Sequence, residues 1–115
     1  MILSSARDWL VADGHVVAPV VGVRVGDVIE VVEVSHGLGG GDLLRHDRAH
    51  ASAHPRQMAM WMARRLTGKS YPEIGLIFGR HHTTVMHGVA AHGRRMDRDG
   101  DVAALTRRLV REVCG

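Results

Sequence analysis

Four consecutive side chains, His81, His82, Thr83 and Thr84, place two imidazoles and two hydroxyls at what the surrounding pattern predicts is the start of a helix. Threonine donates to bases or phosphates and packs its methyl on thymine, and a histidine donates to an acceptor on a purine edge. A helix tip built this way suits entry into a DNA major groove. The plainer alternative is that Thr83 or Thr84 only caps the helix and the histidines are solvated. The neighbouring residues favour the first reading. Ser70-x-x-Glu73 matches a capping box, so a helix is expected from about Tyr71. Ile74, Ile77 and Phe78 then share one face, and Gly79 breaks the run with a backbone freedom that other residues lack. Beyond the break Val85, Val89 and Met96 recur at helical spacing. Two amphipathic helices joined by a glycine turn predict a helix-turn-helix.

Cations gather around this unit. Residues 1–44 hold two arginines against six acids, whereas residues 45–98 hold ten Lys/Arg against three. Clustered cations attract phosphates through counterion release, although a charge run by itself is commonly a solvated face. Arg56 and Gln57 open a predicted helix whose free N–H groups also favour phosphate. Lys69 beside the cap is a further phosphate candidate. Arg80, in the turn, either reaches a phosphate or pairs with an acid inside the fold. Residues 45–54 (RHDRAHASAH) show no apolar periodicity and read as a loop of cationic groups, Arg48 and His50 among them.

The 115 residues suggest one domain with a modest core of aliphatic side chains and methionine, since aromatics make up only 3%. Residues 1–14 read as a short helix anchored by Trp9, and 15–24 as an extended connector. Residues 25–37 are ambiguous. Five valines and an isoleucine favour a strand, yet Val25, Val28, Ile29 and Val32 fit one helical face with Asp27, Glu30 and Glu33 off it. Asp42-Leu43-Leu44 suits a single helical turn. A helix over about 55–67, with Pro55 at its first position, should bury Met58, Ala59, Met62, Ala63 and Leu66 and show Arg64 and Arg65 to solvent. Its methionines read as core filling. A last amphipathic helix spans 101–113. A single cysteine, Cys114, excludes an internal disulfide, and no apolar run is long enough for a membrane span, so a soluble cytoplasmic protein is expected.

The run Ile74-Gly75-x-x-Phe78-Gly79-Arg80-x-His82-Thr83-Thr84-Val85-x-His87, preceded by Pro55-Arg56-Gln57-Met58-Ala59-Met60 and Ser70-x-Pro72-Glu73, resembles the C-terminal DNA-binding domain of the DnaA replication initiator family. The resemblance implies an all-α bundle with a helix-turn-helix, also related to the Trp repressor scaffold, over about residues 25–113, and leaves 1–24 as an N-terminal short helix and connector. It implies that 25–37 is helical. It implies base contacts from His82, Thr83 and Thr84, an apolar contact of Pro72 with a thymine methyl, and backbone contacts from Arg56 and Gln57. Three departures stand out. The family turn reads Phe-Gly-Gly-Arg and is one residue shorter here. The family's acid before His-Thr-Thr is His81, and its minor-groove loop arginine aligns with His50, while another basic loop position is Asp47. The preferred site is therefore expected to differ from the usual origin repeat.

Seven of the nine histidines lie in 46–92, but His82, His87 and His92 recur every five residues, which does not stack metal ligands on one face. Exposed imidazoles gain charge below pH ~6.5, so DNA affinity is expected to rise between pH 7.5 and about 6. There is no Gly-x-x-x-x-Gly-Lys-Ser/Thr phosphate loop and no readable catalytic set, so neither an enzyme nor a bound cofactor is expected. The expected partner is double-stranded DNA, with replication or transcription proteins meeting the acidic N-terminal part. A small transcriptional regulator, a basic module for an acidic protein, and a metal-dependent nuclease are the rival readings.

Overall fold

The computed structural model describes residues 20–46 and 53–115, so the expected helix at 1–14 and most of the connector lie outside the described residues. Within them the chain forms five α-helices and one 3₁₀ turn: α1 (Val25–Ser35), the turn (Asp42–Leu44), α2 (Ala53–Thr67), α3 (Tyr71–Phe78), α4 (His82–Arg98) and α5 (Gly100–Cys114). No strand occurs among the described residues.

Helix α2 is the axis of the bundle. Pro55, Met58, Ala59, Met60, Trp61, Met62, Ala63 and Leu66 are all buried, so the helix is apolar around most of its circumference. Helices α1, α3, α4 and α5 all pack against it. Unbranched methionines adapt to this many neighbours, and each fully buried large side chain contributes about 1.5–3 kcal/mol. Two expectations are corrected here. The helix already includes Ala53, which places Pro55 within the first turn rather than at its first position. Arg64 and Arg65 are half-buried instead of solvated: Arg64 lies 4.8 Å over the Tyr71 ring and donates to the Lys69 carbonyl at 2.7 Å, and Arg65 lies 5.4 Å over Trp61.

The ambiguous valine run is a helix. Val25, Val28, Ile29 and Val32 are buried together, and the Asp27 carboxylate accepts the Arg24 N–H at 3.0 Å, which closes the first turn. Packing on one face has overridden β propensity. Glu33 is a correction: it is buried, with its carboxylate accepting the Leu43 N–H at 3.2 Å, and so ties the 3₁₀ turn to α1. The connector's last residues belong to the bundle too, since the Val20 N–H donates to the Leu66 carbonyl at 2.8 Å.

Helix α5 closes the bundle through Ala103, Thr106, Leu109 and Val110. Its Thr106 meets His92 of α4, with 3.0 Å between Oγ1 and Nε2. His92 is fully buried beside Trp61, so one of the histidines counted in the basic block is a core residue. No helix among the described residues is long and apolar enough to cross a membrane.

Candidate nucleic-acid interface

The turn between α3 and α4 is fixed by local chemistry at each step. Ser70 accepts the Glu73 N–H at 3.2 Å while Glu73 accepts the Ser70 N–H at 3.2 Å, the reciprocal box that starts α3. The Ser70 N–H and then its hydroxyl, both donating to the carboxylate, hold the Glu73 carboxyl below its ordinary value against an opposing effect of desolvation, with Lys69 adding a lesser pull. Gly79 ends the helix at φ 64°, a left-handed conformation that suits glycine. Gly75 is needed for a different reason. A Cβ there would stand 2.5 Å from the Arg80 carbonyl oxygen, so the turn's backbone rests directly on the Gly75 Cα. Within the turn the left-handed position falls on Gly79, where it carries no steric penalty.

This turn presents His81, His82, Thr83 and Thr84, all exposed, immediately before the fully buried Val85. The boundary between solvent and core thus falls within one residue of the tip. His81 is the N-cap: its Nδ1 accepts the Thr83 N–H at 3.3 Å and lies 2.8 Å from the Thr83 hydroxyl. The capping role considered for the threonines therefore falls to a histidine. The His81 and His82 rings stack with centroids 4.1 Å apart. Further along α4, Met86, His87, Ala90 and Arg94 are also exposed on the side away from the core. Gly88 faces the opposite way, where a Cβ would stand 2.8 Å from Met60 Sδ, so the helix lies close against α2.

The expected phosphate ligands divide. Lys69 is exposed and only 3.7 Å from Glu73, an exposed pair that contributes little and can be exchanged for a phosphate. Pro72 is exposed in the first turn of α3. Gln57 is half-buried and its amide oxygen accepts from Arg95 Nη2 at 2.7 Å, which leaves the amide nitrogen as its donating end. Arg56 donates from Nε to the Leu43 carbonyl at 3.0 Å. Arg80 does not take the acid partner considered for it: Nη1 donates to the Phe78 carbonyl and Nη2 to the Arg45 carbonyl, both at 2.9 Å. Burial, then the Arg56 charge, pulls its guanidinium below the ordinary value. Arg48 and His50 lie outside the described residues.

Two contributors carry no signal of their own in the sequence. Gly88 matters through a close approach that only the packed helices create, and Arg95 matters by orienting Gln57 from another helix. Among the described residues no group of three or more His, Cys, Asp or Glu side chains is arranged to hold a metal ion.

Comparison with known proteins bears on this arrangement directly. Residues 25–91 match the family described as bacterial dnaA protein helix-turn-helix. The chain is 39% identical over 92 residues to the chromosomal replication initiator protein DnaA of Caulobacter vibrioides, covering 76% of this chain and 19% of that protein. It is 39% identical over 94 residues to the DnaA of Deinococcus radiodurans (81% of this chain, 20% of that protein). It is 51% identical over 63 residues to the DnaA of Gluconobacter oxydans (54% and 13%). The matched segments span at most a fifth of these curated relatives. With its capping box, its glycine turn and its exposed His-Thr-Thr tip, the chain belongs to the bacterial DnaA helix-turn-helix family, a family of DNA-binding domains.

Proposed function

We propose that the chain binds double-stranded DNA with sequence preference, inserting the start of α4 into the major groove. The observation that carries this reading is the exposure of four consecutive polar side chains, His81 to Thr84, on a helix whose next residue is fully buried. An α-helix with its side chains is about 10–12 Å across and the major groove about 12 Å wide, so the tip fits end-on. His82, Thr83 and Thr84 read base edges. His81 orients Thr83 and adds its own ring edge, and Pro72 meets an apolar base edge. Gln57, Arg56 and Lys69 meet phosphates, and Arg48 and His50 add further backbone contacts. Arg80, first read as a phosphate ligand, serves the interface from behind.

The biological setting that fits is site occupancy related to origin recognition in chromosome replication. On this stretch alone the chain acts as a competitor, a marker or a recruiter at such sites, with the acidic residues 1–44 available to a replication or transcription protein. The protein works in the cytoplasm. Selection from a random duplex pool, followed by anisotropy across a salt series, tests the reading. One enriched motif and a log–log salt slope of several units are expected. Equal binding to all sequences would instead support a general polyanion-binding module, and no binding would remove DNA as the ligand.

A further inference from the structure

We propose that Arg80 is a positioning residue for DNA binding, a clasp that holds Arg45 and His46 beside the start of α4 without touching DNA itself. The proposal rests on the DNA-binding reading above. The half-buried guanidinium joins the end of α3 at Phe78 to the segment after the 3₁₀ turn at Arg45, 35 residues before Arg80 in the chain. The backbone of Arg80 is fixed as well: its N–H donates to the Gly75 carbonyl at 2.9 Å and its carbonyl presses on the Gly75 Cα. The far end of the clasped segment is held from α2, by Arg56 Nε on the Leu43 carbonyl at 3.0 Å.

What the clasp presents is an arginine and an imidazole. Arg45 and His46 are both exposed, and His46 Nε2 leans over Gly79, 2.8 Å from where a Cβ would stand. Among the described residues the ion-pair partner of Arg45 is Asp42, at 3.4 Å with the arginine side chain 65% exposed, and a phosphate can compete for it. The pair therefore flanks the turn that aims His82, Thr83 and Thr84. Bridging two carbonyls at once needs a rigid fork of donors, which arginine has and lysine, a point charge on a flexible stem, does not. A charge-conserving Arg80→Lys change thus separates positioning from direct phosphate contact.

The test is anisotropy with the full chain on its selected duplex, over a salt series, for wild type, Arg80→Lys, the Arg45→Gln/His46→Gln pair, and the combination, with circular dichroism confirming the fold. Arg80→Lys should weaken binding about tenfold and lower the salt slope by about one, with unchanged base preference. The combination should bind no worse than the pair alone. Affinity within about twofold of wild type, or fully multiplicative losses in the combination, overturns the proposal. Should Arg80→Lys fail to fold, the pair variant carries the test, and wild-type affinity from it overturns the proposal. A readout without DNA separates this idea from the function it rests on. The Arg45 N–H, bonded to the Asp42 carbonyl at 3.3 Å, should exchange several-fold faster in free Arg80→Lys than in wild type. Unchanged exchange means there is no clasp, whereas a wild-type chain that binds no duplex means there is no DNA for it to serve.

Discussion

The two ends of α4 use the same residue type in opposite ways. At the start, the side chains of His81 and His82 are exposed, their rings 4.1 Å apart and tilted by 36°, and the His81 ring caps Thr83. About three turns later His92 is fully buried, bonded to Thr106 and packed on Trp61, with its Nδ1 unpartnered among the described residues. One end exposes donors for a ligand to satisfy, and the other encloses a polar group that must stay neutral. A single helix can do both because Val85, Gly88, Val89 and His92 bind it to the bundle along one stripe, while its tip projects beyond the turn. Rigidity at the buried end gives the exposed end its precision.

The largest expected effect comes from charging the buried end. Burial, then the charges of Arg95, His54 and His36, lowers the His92 pKa from 6.5 to about 4. The unfolded chain takes up this proton at higher pH than the folded chain does. Stability is therefore greatest above pH 6.5 and falls as pH drops from there to about 4. At 1.36 kcal/mol per pKa unit the full loss is about 3 kcal/mol. Urea midpoints across this range should show it, and His92→Gln should flatten the profile; an equally steep profile in that variant would place the titration elsewhere.

Next comes the turn that aims the exposed end. Gly75→Ala forces a methyl against the Arg80 backbone and should cost about 2 kcal/mol, seen as a melting temperature roughly 10 °C lower. Its DNA affinity should fall even at temperatures where the variant is folded, because the tip is displaced. Undiminished affinity in the folded variant would mean that the tip's aim does not depend on this contact.

A smaller effect separates capping from reading at His81. Aspartate is a strong N-cap and suits the positive end of a helix, so His81→Asp should raise stability by about 0.5 kcal/mol. The same change supplies an acceptor for a cytosine amino group and should shift the selected motif at one position. A higher melting temperature with an unchanged motif would confine His81 to the cap.

The helix-turn-helix was legible because its signals are local: Ser70 and Glu73 are three residues apart, Gly79 terminates its own helix, and Ile74 and Phe78 are buried at helical spacing, although Ile77, expected on the same face, is exposed. The tip residues were legible for the same reason. What stayed hidden depends on partners distant in the chain. Glu33 looked like a solvated position until Leu43, ten residues on, used its carboxylate. His92 looked like another cation until Thr106 enclosed it. The internal partner of Arg80 looked like an acid because nothing near it in sequence announces a carbonyl 35 residues earlier. Polar and charged side chains can be satisfied by any passing backbone group, so their roles are settled by topology, whereas apolar spacing and caps are settled within a turn or two.

The most direct test of the central claim compares motif selection by the wild-type chain with selection by a His82→Ala, Thr83→Ala, Thr84→Ala triple variant. The account predicts that wild type enriches one motif, and that the triple variant still binds DNA with a similar salt slope but enriches none. Recovery of the same motif by the triple variant would show that the bases are read elsewhere.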